Sequence, residues 1–180
     1  MQFLAALSRR IDIINERIGR TVAWIALIMV LVQVVIVLMR YVFGVGSIMM
    51  QESVVYMHAM LFMAAAGYAL VHDGHVRIDI VYREASPRTK AIIDLAGSVL
   101  FLLPLCVLIV WVSWRYVSVS WAVLEGSKET SGIQGVFLLK TLIPLFAGLL
   151  GLQGLSLAIR SGLTLAGRNA TDVGHRNSVT

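Results

Sequence analysis

The chain has 180 residues, 58% of them hydrophobic and only 14% charged, where soluble domains carry about 25% charge; with a mean hydropathy of +0.84 it reads as a one-domain membrane protein. The net charge of +5 does not imply a nucleic-acid partner, because the basic residues form no stripe interleaved with aromatics. Cys106 is the only cysteine, which excludes an intramolecular disulfide and dithiol redox chemistry, and inside an apolar run it reads as a packing residue.

In residues 1–20, Leu4, Leu7, Ile11, Ile14 and Ile18 recur at spacings of three and four, with Arg10, Asp12, Glu16, Arg17 and Arg20 mostly elsewhere. This predicts an amphipathic N-terminal helix, lying in the membrane interface or packed on a partner protein. Four uncharged runs follow: 19 residues between Arg20 and Arg40, 20 between Glu52 and Asp73, 20 between Asp94 and Arg115, and 19 between Lys140 and Arg160. A hydrocarbon core of roughly 30 Å needs about 20 helical residues. All four runs therefore predict transmembrane helices, near 21–42, 53–72, 92–114 and 137–159. The first is too long for a cleaved signal and reads as a retained anchor. The expected fold class is an all-α integral membrane protein, with four transmembrane helices over 21–160, an N-terminal interfacial helix over 1–20 and a polar tail over 161–180.

Several polar residues stand out in chain order. Gln33 lies in the middle of span one, where an amide bonds another helix or meets a substrate. Arg40 and Glu52 flank the first outer loop, either as two solvated ends or as an ion pair tying span one to span two or to a partner. His58 lies roughly 9 Å deeper than Glu52, as a proton relay or as a neutral histidine bonded to a neighbouring helix. Ala64, Ala65, Ala66 and Gly67, and then Gly148, Gly151 and Gly154, offer smooth surfaces for close helix contact inside the chain or with a partner.

Span two ends in "HDGHVRID", His72–Asp79. His72, His75 and Asp79 have side chains that zinc or iron would accept. Gly74 weakens a helix there, and no second cluster supplies further ligands. An interfacial turn is the better reading of these residues, with Arg77 and Asp79 available for polar contacts. Ser86-Pro87 is a start signal for span three, a capping residue followed by proline at the first helical position.

Eleven Lys and Arg residues fall on the side of the termini and the second loop, and four on the other. The positive-inside rule then places both termini in the cytoplasm. No nucleophile constellation, phosphate-cradling loop or paired carboxylates appear, so no catalytic, cofactor-binding or metal residue is assigned and no enzyme activity or cofactor is expected. Spans one, three and four contain no histidine, which argues against a bis-histidine haem anchor. Without a mid-membrane charge lining a cavity, a self-contained homo-oligomeric exporter or channel is the second choice. An accessory membrane subunit is the first.

Three stretches sharpen this: "RYVFGVGSIMMQES" (Arg40–Ser53), "HDGHVRIDI" (His72–Ile80) and "SWAVLEGSKETSGIQGVFLLKTLIPL" (Ser120–Leu145). In order and spacing they resemble the small membrane (DctQ-type) subunit of tripartite ATP-independent periplasmic (TRAP) transporters, within it the mannitol/chloroaromatic-like branch. Arg40, Tyr41, Val42, Phe43 and Glu52 match the family's first motif, while Met49 and Gln51 depart from its tryptophan and first glutamate. His75, Val76, Ile78 and Asp79 match its histidine motif. The resemblance implies a bacterial inner-membrane, multi-pass protein in a heteromeric complex for secondary active transport. The large membrane subunit would carry the ion and solute sites and move elevator-fashion, a periplasmic solute-binding protein would deliver a small organic solute, and this chain would scaffold the large subunit. Arg40, Glu52, His75, Arg77 and Asp79 then become candidates for subunit contact or for holding the fold, and Gln33 and His58 for polar contacts within the membrane.

Overall fold

The computed structural model describes residues 2–72, 74 and 85–167. Every regular element among them is helical: α1 (Gln2–Val42), α2 (Ile48–Ala64), α3 (Ala66–Val71), α4 (Pro87–Ala96), α5 (Leu103–Ala122) and α6 (Val136–Leu165), with a π-helical turn, Gly97–Leu102, between α4 and α5. α2 with α3, and α4 with α5, continue as single rods. Four rods are thus long and apolar enough to cross a membrane. They alternate in direction, so Gln2, Ser86 and Leu165 mark one end (the terminal end). The α1–α2 turn and the α5–α6 connection mark the other (the loop end).

Local chemistry sets the joints. Ser86 Oγ accepts from the Thr89 amide at 3.2 Å, with Pro87 opening α4, as the sequence predicted. Ser47 caps α2 in the same way, and the preceding turn passes through Gly44 at φ +67°, a conformation glycine adopts without a Cβ clash. Pro104 has no N–H to offer the turn before it, and the helix widens there into the π turn.

The N-terminal segment corrects an expectation. It is not a separate interfacial helix: α1 runs unbroken for 41 residues. Nor is its packed stripe the apolar one. Ser8, Ile11, Asn15, Gly19 and Val22 are buried, while Leu4 and Ile14 are exposed. The buried stripe is the one whose polar side chains, Ser8 and Asn15, find partners on α6, since a polar group buried without a partner is costly.

The helix that supplies those bonds is α6. It packs on every other rod, and a third of its most apolar stretch is buried, against 6 to 11% in the other three. Val22, Ala64 and Leu149 form one apolar cluster, joined by Ile18, Ile25 and Leu61. Cys106, Ala147 and Leu150 form another, so the lone cysteine packs as predicted. The glycine ridge is divided: Gly151 and Gly154 sit against Cys106 and Leu102, and Gly148 faces open space.

Candidate functional site

The polar side chains of the bundle gather into two clusters, one at each end. At the terminal end, residues three and four apart on α1 face residues three and four apart on α6. Asn15 Nδ2 donates to Gln153 Oε1 at 2.9 Å, and Gln153 Nε2 donates to Asp12 Oδ1 at 2.8 Å. The Ser156 hydroxyl donates to the same Asp12 oxygen at 2.6 Å, and Ser8 and Ser156 share a bond of 2.7 Å. Arg160 reaches Asp12 Oδ2 at 3.3 Å. Gln153 and Ser156 are 0% exposed and Asn15 1%, so the Asn15–Gln153 and Ser8–Ser156 bonds form away from water, where a missing partner is costly, while the Arg160–Asp12 pair is partly exposed.

α3 closes this cluster from the side. A Cβ at Gly67 would lie 2.2 Å from Asn15 Oδ1 and 3.2 Å from the Leu149 carbonyl oxygen, so only glycine admits α3 this close to α1 and α6. One turn on, His72 Nε2 meets Glu16 Oε2 at 2.6 Å, and Glu16 also holds Arg20 at 2.6 Å. The Tyr68 ring lies 4.4 Å from the His72 ring, centroid to centroid. The first residue of "HDGHVRID" is therefore tied to the N-terminal part of α1.

At the loop end, Glu52 organises the α5–α6 connection. Its carboxylate accepts from the Ser127 hydroxyl and from the Ile133 amide, the latter at 2.6 Å. Glu125 pairs with Lys140, whose ammonium lies 3.9 Å from the Tyr116 ring centroid. Trp121 Nε1 donates to Thr141 at 2.8 Å, and its ring meets Phe137 edge-on. α5 itself ends in a Schellman pattern: the Glu125 amide bonds the Ser120 carbonyl and the Leu124 amide the Trp121 carbonyl. Leucine takes the left-handed position there, at φ 45°, where glycine is usual. The anchored side chains on either side hold it in place.

The Lys140 ammonium beside Glu125 keeps that carboxyl below the usual carboxylate range. A carboxyl whose pKa is lower in the folded state stabilises the fold above its unfolded value, and this contribution is lost as pH falls through the folded value. Acidification below about pH 4 should therefore loosen the α5–α6 connection. Hydrogen exchange of the Glu125 and Phe137 amides should accelerate below that pH in the wild type, and Glu125→Gln should be accelerated already at neutral pH with a smaller pH step, since the Glu52 carboxylate still holds the same connection.

The residues singled out in the sequence separate into three groups. Glu52 is a structural anchor whose partners are Ser127 and Ile133, not Arg40. Arg40, Gln33 and His58 are exposed on the outside of the bundle. His75, Arg77 and Asp79 lie outside the described residues; of the three side chains in the metal reading only His72 is described, and it bonds Glu16. Among the described residues no three His, Cys, Asp or Glu side chains come together as a metal site. The terminal cluster was missed, although its spacing is visible: Ser8, Asp12 and Asn15 match Gln153, Ser156 and Arg160 in steps of three and four.

Both clusters can hold helices in register, and neither presents a nucleophile to a cavity. The grooves along α5 and α6 are lined by apolar side chains such as Leu103, Val107, Trp111 and Leu152. A family model described as "Tripartite ATP-independent periplasmic transporters, DctQ component" matches residues 28–163. No curated protein and no solved structure gives a significant match. That family is a transporter component rather than an enzyme family, and its match covers all four rods in whole or in part: the chain belongs to the DctQ family of tripartite ATP-independent periplasmic transporters.

Proposed function

We propose that this chain is the small permease subunit that scaffolds a large elevator-type membrane subunit during ion-coupled uptake of a small organic solute. The observation that carries this reading is the use of the buried polar side chains. Asp12, Asn15, Gln153 and Ser156 bind one another across α1 and α6, which makes a rigid body rather than a substrate path. A scaffold needs rigidity; a transport site needs polar groups left free to meet a solute.

The rest of the reading follows the charge count and the family. The chain sits in the bacterial inner membrane with both termini cytoplasmic, as the excess of Lys and Arg at the terminal end favours. The loop end then faces the periplasm, and residues 125–135, fixed by Glu52, form a surface for the solute-binding protein. His75, Arg77 and Asp79 contact the large subunit or hold the cytoplasmic turn. The mannitol/chloroaromatic-like branch rests on the sequence motifs alone.

Co-expression of the full chain with its large subunit should yield a stable one-to-one complex after detergent extraction. Asp79→Ala should lower the recovered complex. A wild-type chain that purifies only by itself would overturn the subunit reading, and an Asp79→Ala complex recovered in full would remove Asp79 from the contact.

A further inference from the structure

Two polar side chains stand at mid-membrane depth on the outside of the bundle. Gln33 on α1 and His58 on α2 are both exposed, and no hydrogen bond reaches either among the described residues. Each lies roughly 14 Å along its helix from the loop end, at about 1.5 Å per residue, which is close to the middle of a core of roughly 30 Å.

They lie on the same side. Ile18 and Ile25 of α1 and Leu61 of α2 all pack against one cluster, Val22 of α1, Ala64 of α2 and Leu149 of α6. The half-buried stripe Ile25, Val32 and Ile36 therefore meets the half-buried stripe Val54, Met57 and Leu61. Gln33 follows Val32 and His58 follows Met57, each about 100° further round its helix. Because the two helices run in opposite directions, the same step round each one leads to the same side of the pair. Two turns nearer the loop end, Arg40 continues the line of Gln33, and Gln51 continues the line of His58. Both are exposed. The pair thus shows one face with an amide and an imidazole at mid-depth and a cation and an amide at its outer edge.

An amide left in hydrocarbon is unfavourable, whereas interhelical bonds from Gln and His are a regular source of helix association in lipid. We propose that this face of α1 and α2 is the docking surface for a transmembrane helix of the large membrane subunit. That helix would carry a hydrogen-bonding side chain at mid-membrane and a carboxylate or carbonyl acceptor opposite Arg40. This inference rests on the subunit reading above and adds the surface and the chemistry of the contact. A second copy of this chain fits the face less well. Two copies share one orientation in the membrane, so a twofold contact there would bring their Arg40 side chains together. The neighbouring carboxylate, Glu52, is already engaged by Ser127 and Ile133.

Gln33→Leu with His58→Leu tests this, since leucine suits lipid. In the chain alone, the double variant should unfold thermally like the wild type. Co-expressed with the large subunit, it should give roughly tenfold less complex, the loss of two modest interhelical bonds. Val55→Trp, on the same exposed stripe of α2, should also lower recovery by bulk alone, while Val107→Trp on the far side of the bundle should not. Full recovery of complex with both the double variant and Val55→Trp would overturn the docking face and leave the subunit reading standing. No complex from the wild-type chain would overturn the subunit reading itself. Cross-linking of Gln33→Cys to a second copy, in a Cys106→Ala background, rather than to the large subunit would overturn the proposal in favour of self-association.

Discussion

Gln153→Leu should lower the unfolding free energy of the isolated chain by about 2–4 kcal/mol. The substitution removes two interhelical bonds, each contributing about 0.6–1.7 kcal/mol in a membrane. It also leaves the Asn15 amide and the Asp12 carboxylate short of a partner, and an unsatisfied buried group costs about 1–3 kcal/mol. Leucine fills a volume close to that of glutamine, so no cavity contributes. Steric trapping or detergent-titrated unfolding in bicelles measures the difference. The control is Gln33→Leu, the same chemical change five helical turns from Asn15 on α1 but outside the bundle, which should leave the isolated chain's stability unchanged. Equal stability of Gln153→Leu and wild type would show that the α1–α6 cluster does not hold the fold.

Gly67→Ala should destabilise by about 1–3 kcal/mol, the usual range for forcing extra volume into a packed site. The added Cβ would meet Asn15 Oδ1 at 2.2 Å and the Leu149 carbonyl at 3.2 Å. Relief requires Asn15 to swing away, and that breaks its bond to Gln153. The two effects are therefore coupled, and a double-mutant cycle exposes the coupling. In an Asn15→Ala background the side-chain obstruction is gone, and Gly67→Ala should then cost far less than in the wild type. Additive losses would place the strain elsewhere, at the Leu149 backbone.

The four membrane rods were legible in the sequence because lipid imposes one demand, about 20 apolar residues per crossing, and charges punctuate the chain at that interval. The start of α4 was legible for a similar reason: Ser86-Pro87 acts through its nearest neighbours. The packing of residues 2–20 was not. The apolar stripe Leu4, Leu7, Ile11, Ile14 and Ile18 suggested the buried side, as it would in a soluble protein. The actual stripe is set by Gln153 and Ser156, more than 130 residues away, and only Ile11 belongs to both.

The candidate site divided along the same line. Glu52 was visible as a residue to hold something, but its partners Ser127 and Ile133 come from a loop whose fold is not periodic. In "HDGHVRID" the family motif directed attention to His75 and Asp79. The described contact belongs to His72, whose partner Glu16 sits on a helix that seemed to lie apart in the interface. Gln33 and His58 drew notice as polar groups in lipid, and among the described residues both are exposed and neither makes the interhelical bond expected of it.

Uptake in proteoliposomes tests the scaffold reading most directly. The large subunit, the solute-binding protein, an ion gradient and this chain are reconstituted together, and each membrane subunit is then omitted in turn. The account predicts solute accumulation only when both membrane subunits are present, and none from this chain with the binding protein. Gradient-driven uptake by this chain without the large subunit would contradict it.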